Sequence, residues 1–403
     1  MAPQRLVVVG NGMAGLRLLE EIVERAPGRF AITVIGAEPE PAYNRVLLSS
    51  LLAGEIGADD VMLRPRDWYG THGIELITGQ PAQCVDIMRR ALRLPDGTEV
   101  AFDALVLATG SDPVTLPVPG TDLAGVVTFR TLADIAGFET FASTGQPAVV
   151  IGGGVLGIEA AYGLARRGVP VTLVHLMDRL MERQLDAEGA ELVAQAVAQK
   201  GIRVLLNAKT RAIHGESRAE AVELTDGRVL PCGLVVMAIG VRPRIALAAT
   251  AGLKVNRGIV VDDLMRTSVP SVFAVGECAE HCGTCYGLVE PCYQQAKAAA
   301  TTILGDTSAD YAGSVPAIHL KVSGVPVFSI GDFDGTAADR IIIRDGGAPC
   351  YRKLVMREGR LAGAILVGDS ADAAWYTDLV RSGAPVAALR EQLAFGRAFA
   401  EAA

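Results

Sequence analysis

The sequence predicts an α/β fold in which one strand–turn–helix–strand unit occurs twice and a small α+β region follows. Three observations predict it. Residues 6–38, LVVVGNGMAGLRLLEEIVERAPGRFAITVIGAE, form the first unit: an apolar β-branched run, a Gly-x-Gly-x-x-Gly turn, an amphipathic helix and a second apolar run. Residues 149–175, VVIGGGVLGIEAAYGLARRGVPVTLVH, repeat the pattern. After residue 309 the pattern changes to β-rich segments with a turn at Glu358-Gly359, and two amphipathic helices follow.

In the first unit Gly10 allows the tight turn after the strand. Gly12 lets the backbone approach a pyrophosphate, and Gly15 lets the helix pack close to the sheet. The helix N-terminus adds amide donors and a positive dipole end. Glu38 follows the second strand about 20 residues past the glycines, where an acid binds ribose hydroxyls. Strand, helix, strand and acid in this order predict a bound dinucleotide. The second unit carries Gly152, Gly154 and Gly157 and predicts another, so that electrons pass between the two within one protein.

The bulk composition fits. Half of the 403 residues are hydrophobic and a fifth are charged, enough apolar side chain for several buried cores; the length predicts two to four domains. A net charge of −8 with no basic cluster excludes a nucleic-acid binder. The start of the chain runs directly into a strand that Gly10 interrupts, so no signal peptide is expected. Every long apolar stretch meets Arg, Glu or several glycines before about 18 residues, so no membrane-spanning helix is expected. Seven cysteines, an odd number set mostly within regular patterns, predict a reducing, cytoplasmic location.

Along the chain, residues 41–54, PAYNRVLLSSLLAG, follow a proline-rich turn and enter an apolar helical run; Arg45 alone reads as a surface arginine in that turn. Residues 74–101 predict short strands alternating with turns, one of them at 95–97. FDALVLATGSDP, 102–113, is a buried strand ending in Ala-Thr-Gly, and Ala-Ile-Gly at 238–240 echoes it. Arg130 reads as a helix-capping or interdomain salt-bridge residue, and Glu159 as a carboxylate on a helix face. The strand VTLVH ends at His175, where the ribose-binding acid of a second unit is expected. Histidine neither binds both hydroxyls nor repels a 2′-phosphate strongly, and Arg179, with Arg166 and Arg167 less directly, favours the phosphate. Gly201 is the expected stop of the helix before it. Pro291 suits the first turn of a helix that Gly305 stops. Cys278, Cys282, Cys285 and Cys292, with His281 among them, read either as an iron–sulfur or metal site or as reduced structural thiols. Their spacing matches no ferredoxin run, and the helix at Pro291 carries Cys292 away, so no metal is expected.

The stretch 41–54 resembles the flavin-contacting segment of the FAD-dependent pyridine-nucleotide oxidoreductases. It is most similar to the flavin-carrying portion of assimilatory NAD(P)H nitrite reductases and the electron-transfer subunit of assimilatory nitrate reductases. Ser50 follows Ser49 where ferredoxin- and rubredoxin-reductase relatives carry a lysine, and Gly276-Glu277 stands where the superfamily has Gly-Asp; both match the nitrite-reductase branch. No cysteine pair of the disulfide-reductase kind lies near the first helix, so reduction of a disulfide is not expected.

The resemblance implies FAD on the first unit and NAD(P)H, with NADH favoured, on the second. It implies FAD contacts from Arg45, Thr109, Gly110 and Arg130, a ribityl contact from Glu277, and Glu159 near the nicotinamide; the helix after Pro291 faces the flavin edge that becomes anionic on reduction. It brings Lys321 toward that edge as well, although the residues themselves favour a solvated strand lysine. The implied architecture is two Rossmann-like nucleotide-binding domains and a C-terminal α+β interface domain. FAD takes 1–118 with 242–308, NAD(P) takes 119–241, and the interface domain takes 309–403. The implied activity is an NAD(P)H dehydrogenase. Hydride passes from nicotinamide to flavin, and electrons then reach a nitrate or nitrite reductase protein, separate because the chain ends where fused nitrite reductases continue. The alternative is a ferredoxin or rubredoxin reductase supplying an oxygenase.

Overall fold

The computed structural model describes residues 3–401 save 307, 309, 323, 337, 346, 348 and 349; the side chains of 321 and 322, Lys321 among them, lie outside the described set. The fold is α/β, with two parallel Rossmann-like sheets and an antiparallel C-terminal sheet. Two compact units form. One holds Met1–Leu47, Gly57–Asp112 and Val241–Ser314, and the other Leu48–Ile56, Pro113–Gly240 and Val315–Ala403.

In the first unit five parallel strands run in the order Val272–Ala274, Ala104–Leu107, Gln4–Val9, Phe30–Ile35, Ile74–Ile77. Val7, Val8, Val34, Leu105 and Val106 are fully buried or nearly so, which is why these strands read as continuous apolar runs rather than alternating ones. Sequence pattern groups 74–77 with the meander that follows it. The structure instead pairs Ile74 with Ile32 and Ile77 with Ile35 in parallel, because the helix Arg66–Thr71 supplies a crossover. The meander is the smaller antiparallel sheet of Cys84–Asp86, Ala91–Arg93 and Glu99–Ala101. The helices Met13–Arg25 and Val289–Ile303 lie side by side. Arg25 donates to Thr301 Oγ1 at 2.7 Å, and Arg17 lies over the Tyr293 ring.

The second unit repeats the theme with Arg203–Leu205, Val171–Val174, Ala148–Ile151, Leu234–Met237 and Val126–Thr128, again all parallel. The helix Ala187–Gln199 ends before Gly201, which takes a left-handed φ of 81° as a helix stop requires.

The C-terminal part of this unit is a five-stranded antiparallel sheet in the order Ala317–Val322, Val325–Gly331, Arg360–Val367, Cys350–Arg357, Asp339–Asp345. Glu358 and Gly359 both have positive φ, the conformation of a two-residue hairpin turn. The helix Ala373–Ser382 covers this sheet through Tyr376 and ends at left-handed Gly383. A second amphipathic helix is expected beyond it. Two short helices, Arg390–Leu393 and Arg397–Glu401, stand there instead, separated by Gly396 at φ 94°. Asp186 caps the helix Ala187–Gln199 and also binds the sheet. It accepts from Gly189 N at 3.1 Å, Tyr351 Oη at 2.7 Å and Lys353 Nζ at 2.9 Å. Among the described residues, no helix is long and apolar enough to cross a membrane.

Candidate functional site

In the first unit the glycine turn joins the strand Gln4–Val9 to the helix Met13–Arg25 at the carboxyl ends of the parallel strands, where open α/β sheets bind ligands. A Cβ on Gly10 would lie 2.0 Å from the Ala108 carbonyl oxygen, and one on Gly15 would lie 2.2 Å from the Gly10 oxygen. Internal packing therefore forbids side chains at both. A Cβ on Gly12 would meet nothing within 4 Å. The fold itself does not need that glycine, but a pyrophosphate lying over the turn would. Between them Asn11 accepts the Tyr69 hydroxyl at 2.9 Å, while its buried Nδ2 has no partner among the described residues. An open glycine, an orphaned amide donor and a helix N-terminus together fit the phosphates of FAD.

Glu38 follows the strand Phe30–Ile35. Its Oε2 accepts the Tyr43 hydroxyl at 2.6 Å, and its Oε1 pairs with Arg45. The Arg45 guanidinium stacks 4.9 Å from the Tyr43 ring centre. Burial alone would lower the Arg45 pKa, but Tyr43, Glu38 and Glu277 together raise it, so the cation is secure. Thr109 donates its hydroxyl to the Arg244 carbonyl at 2.9 Å, and Gly110, at φ 71°, accepts the Arg244 amide at 2.9 Å. Glu277 sits in the single turn Gly276–Cys278 after the strand Val272–Ala274, and Ser111 donates to its Oε2 at 2.7 Å. The Gly276 amide, one residue earlier, donates to the buried Gln295 Oε1 at 2.8 Å, which fixes this turn to the helix Val289–Ile303.

The four clustered cysteines do not converge. The Cys278 thiol is fully buried against the Leu107 carbonyl at 3.3 Å, and burial pushes its pKa up. Cys292 is buried in the first turn of its helix, Cys285 lies beside Gly258, and Cys282 is exposed.

The second unit reproduces the first turn closely. A Cβ on Gly152 would lie 2.2 Å from the Ala238 oxygen, one on Gly157 would lie 1.8 Å from the Gly152 oxygen, and one on Gly154 would meet nothing within 4 Å. Ala108 and Ala238 are the alanines of the echoed Ala-Thr-Gly and Ala-Ile-Gly, so the echo has a structural cause: each backs its own glycine turn. The open Gly154 fits a second pyrophosphate.

His175 is 7% exposed and lies under this turn. Its Nδ1 accepts the Gly153 amide at 2.9 Å, which places the ring proton on Nε2, 3.1 Å from Glu182 Oε2. The ring thus braces the glycine loop from below. Arg179 pairs with Asp178 at 3.1 Å. Arg167 donates to the Leu52 and Leu51 carbonyls and to Glu139, while Arg166 ends the helix Val155–Arg166.

Glu159, in the first turns of that helix, is the most perturbed carboxyl of the unit. Desolvation raises its pKa to about 7, against a lowering hydrogen bond from Ser49. The segment Leu48–Leu52 that carries Ser49 packs on the same helix, where Leu52 leaves no room for a side chain on Gly163. Arg130 immediately precedes a capped helix. Its amide donates to Asp134 at 2.8 Å, and Thr131 with Asp134 forms a reciprocal capping box. Asn11, Ser111 and Glu182 escape sequence reasoning. Asn11 alone carried a signal, its place inside the first glycine motif; Ser111 and Glu182 find their partners only through the fold.

Comparison with known proteins places this geometry. The model of the pyridine nucleotide-disulphide oxidoreductases matches residues 4–302, and that of the rubredoxin NAD+ reductase C-terminal domain matches residues 316–384. The assimilatory nitrate reductase electron transfer subunit of Bacillus subtilis is 44% identical over 373 residues, 92% of this chain and 48% of that protein. The nitrite reductase [NAD(P)H] of the same organism is likewise 44% identical, over 92% of this chain and 46% of its own length. The chain therefore spans about half the length of these relatives. Among solved structures, the reductase in the covalent putidaredoxin reductase–putidaredoxin complex superposes with a TM-score of 0.87 at 26% identity, covering 96% of this chain and 94% of that one.

Proposed function

The chain belongs to the pyridine nucleotide-disulphide oxidoreductases, an enzyme family that binds FAD and NAD(P)H, and on that premise we propose that it draws electrons from NADH for nitrate or nitrite assimilation. The observation that carries the two-cofactor reading is the pair of glycine turns, each closed to side chains at its first and third glycine and open at its second. Similarity to the nitrate reductase electron transfer subunit and to nitrite reductase supports the electron acceptor.

Bound FAD and NAD(P)H supply the hydride and electron chemistry, and the chain supplies position and field. In this reading Gly10, Gly12 and Gly15 with Asn11 hold the FAD pyrophosphate. Glu38 takes the ribose, with Tyr43 and Arg45 fixing its carboxylate. Thr109, Gly110 and Glu277 line the flavin's path, Glu277 held by Ser111, and Arg130 adds a further contact. Gly152, Gly154 and Gly157 hold the NAD(P)H pyrophosphate over a loop braced by His175. Glu159 serves the nicotinamide end. The domain division is 1–118 with 242–308, 119–241, and 309–403.

The preference for NADH comes from the family resemblance, and the state of one arginine supports it. Arg179, four residues past His175, is paired with Asp178, a partner that a 2′-phosphate would have to displace. All seven cysteines are free, which supports a cytoplasmic location.

A ferredoxin- or rubredoxin-reductase role is the second reading, favoured by the match of residues 316–384 to a rubredoxin reductase domain and by the structural likeness to putidaredoxin reductase. The two part on the acceptor. With FAD-loaded protein and NADH, reduction of nitrate or nitrite reductase but not of ferredoxin or rubredoxin is expected. The reverse preference would replace the first reading by the second.

A further inference from the structure

Three ligand-type atoms converge at a place the dinucleotide chemistry does not use. Strands Ile259–Val261 and Ala279–His281 pair in parallel, with Val261 opposite His281, so Asp263 and Cys282 leave the same end of the sheet beside the His281 ring. The Nε2 atom of His281 lies 2.7 Å from Asp263 Oδ1 and 3.7 Å from Cys282 Sγ, and all three ligand atoms fall within 4.8 Å of one another. Among the described residues this is the group of three or more such side chains that could hold a metal ion.

We propose that Asp263, His281 and Cys282 bind one divalent transition metal of the zinc class. Nitrogen, thiolate and carboxylate are the donors such an ion takes, and tetrahedral coordination separates its nitrogen and sulfur ligands by about 3.6 Å, the spacing already present. Coordination replaces the single hydrogen bond between His281 and Asp263 with metal bonds to both. His281 is 4% exposed, and its ring is set edge-on against Tyr311, 4.9 Å between centres, so the nitrogen ligand is oriented in advance. Tyr311 in turn donates its amide to the Asp263 carbonyl at 2.8 Å, which ties the ring's support to the carboxylate ligand's own backbone. Asp263 and Cys282 are exposed, which leaves a solvent path for the ion and a fourth position for water.

The backbone at Cys282 points the same way. His281 and Thr284 exchange amide–carbonyl hydrogen bonds at 3.0 and 2.9 Å, and the two residues between them, Cys282 and Gly283, both have positive φ, 46° and 78°. That is a type I′ turn, whose first central position suits Asn, Asp or Gly. A cysteine there is conformationally disfavoured, and its sulfur faces the ring of the preceding histidine.

The test uses the FAD-loaded full chain, freed of metal by chelation, dialysed against Zn2+ and passed through a desalting column, with zinc measured by elemental analysis. About one zinc per chain is expected. Cys282→Asn, which suits the turn, and His281→Ala should both lose it, while Cys285→Ser keeps it; flavin content reports that each variant is folded. Zinc should also slow iodoacetamide labelling of Cys282, mapped by mass spectrometry, at least about tenfold. Wild-type protein that retains no zinc, or Cys282→Asn that retains as much as wild type, would overturn the proposal.

Discussion

The Nδ1 atom of His175 accepts the amide hydrogen of Gly153 at 2.9 Å, from beneath the second glycine turn. A side chain on Gly153 would lie 2.6 Å from the His175 ring, so loop and ring are fitted to each other. His175→Ala leaves that buried amide without a partner, at a cost of about 1–3 kcal/mol. The KM for NADH should rise about tenfold while bound FAD is unchanged, and steady-state kinetics with ferricyanide checks this. Glu182→Gln should move KM in the same direction by less, because it weakens the bond that steadies the ring without removing the acceptor of the Gly153 amide.

Glu159 titrates from about 7 in the folded chain rather than from 4.5. Its folded pKa is raised, so the folded state holds more protons than the unfolded one between those values. Stability therefore falls as pH rises from about 4.5 to about 7 and is level above. Glu159→Gln should remove this slope and stabilise the protein at pH 8 by about 2 kcal/mol, after discounting for its partial exposure. Thermal denaturation across pH measures it. The same variant should flatten any inflection near pH 7 in kcat/KM for NADH.

The Asp186–Lys353 pair joins a helix cap to a buried lysine that is 3% exposed. Asp186→Ala leaves that ammonium bonded to the Asp334 carbonyl, at 3.1 Å, but without its carboxylate partner, and should cost about 3 kcal/mol. The folded pKa of Asp186 is depressed, since Lys353, Tyr351 and the Gly189 amide outweigh the effect of burial. Its contribution is thus complete above the ordinary Asp range and is lost as pH falls through the depressed value. Urea melts of wild type and variant should converge in acid and separate at neutral pH.

Much of this was legible in the sequence because it rests on local chain chemistry. The two glycine turns, the helix stop at Gly201 and the hairpin at Glu358–Gly359 each need particular residues at particular spacings. Even the Ala-Thr-Gly and Ala-Ile-Gly echo was readable, as both alanine carbonyls back a turn. What the sequence hid was long-range. Nothing near Glu277 announces Ser111, 166 positions away, and the buried orientation of His175 depends on Glu182 seven residues on. Strand 74–77 was grouped with the wrong neighbours for the same reason: its partner, Phe30–Ile35, is set by a crossover helix.

Arg45 binds Glu38 and stacks on Tyr43 in the first unit. Arg45→Ala removes a charge-assisted bond worth about 1.5–3 kcal/mol and frees the carboxylate it orients. FAD affinity should fall about tenfold or more, read as the flavin-to-protein ratio after gel filtration. Arg45→Lys should recover only part of the loss, because an ammonium cannot stack on Tyr43 as a planar guanidinium does.

If two like turns hold two different dinucleotides, blocking each open glycine must have a different consequence. Valine at Gly12 or at Gly154 meets no protein atom within 4 Å of its Cβ, so both variants should fold. Anaerobic mixing of the FAD-loaded protein with NADH, followed by flavin bleaching, is the measurement. Wild type should bleach; Gly154→Val should keep its flavin yet fail to bleach; Gly12→Val should emerge from purification without flavin. A Gly154→Val protein that bleaches at the wild-type rate would mean that the second turn does not hold NADH.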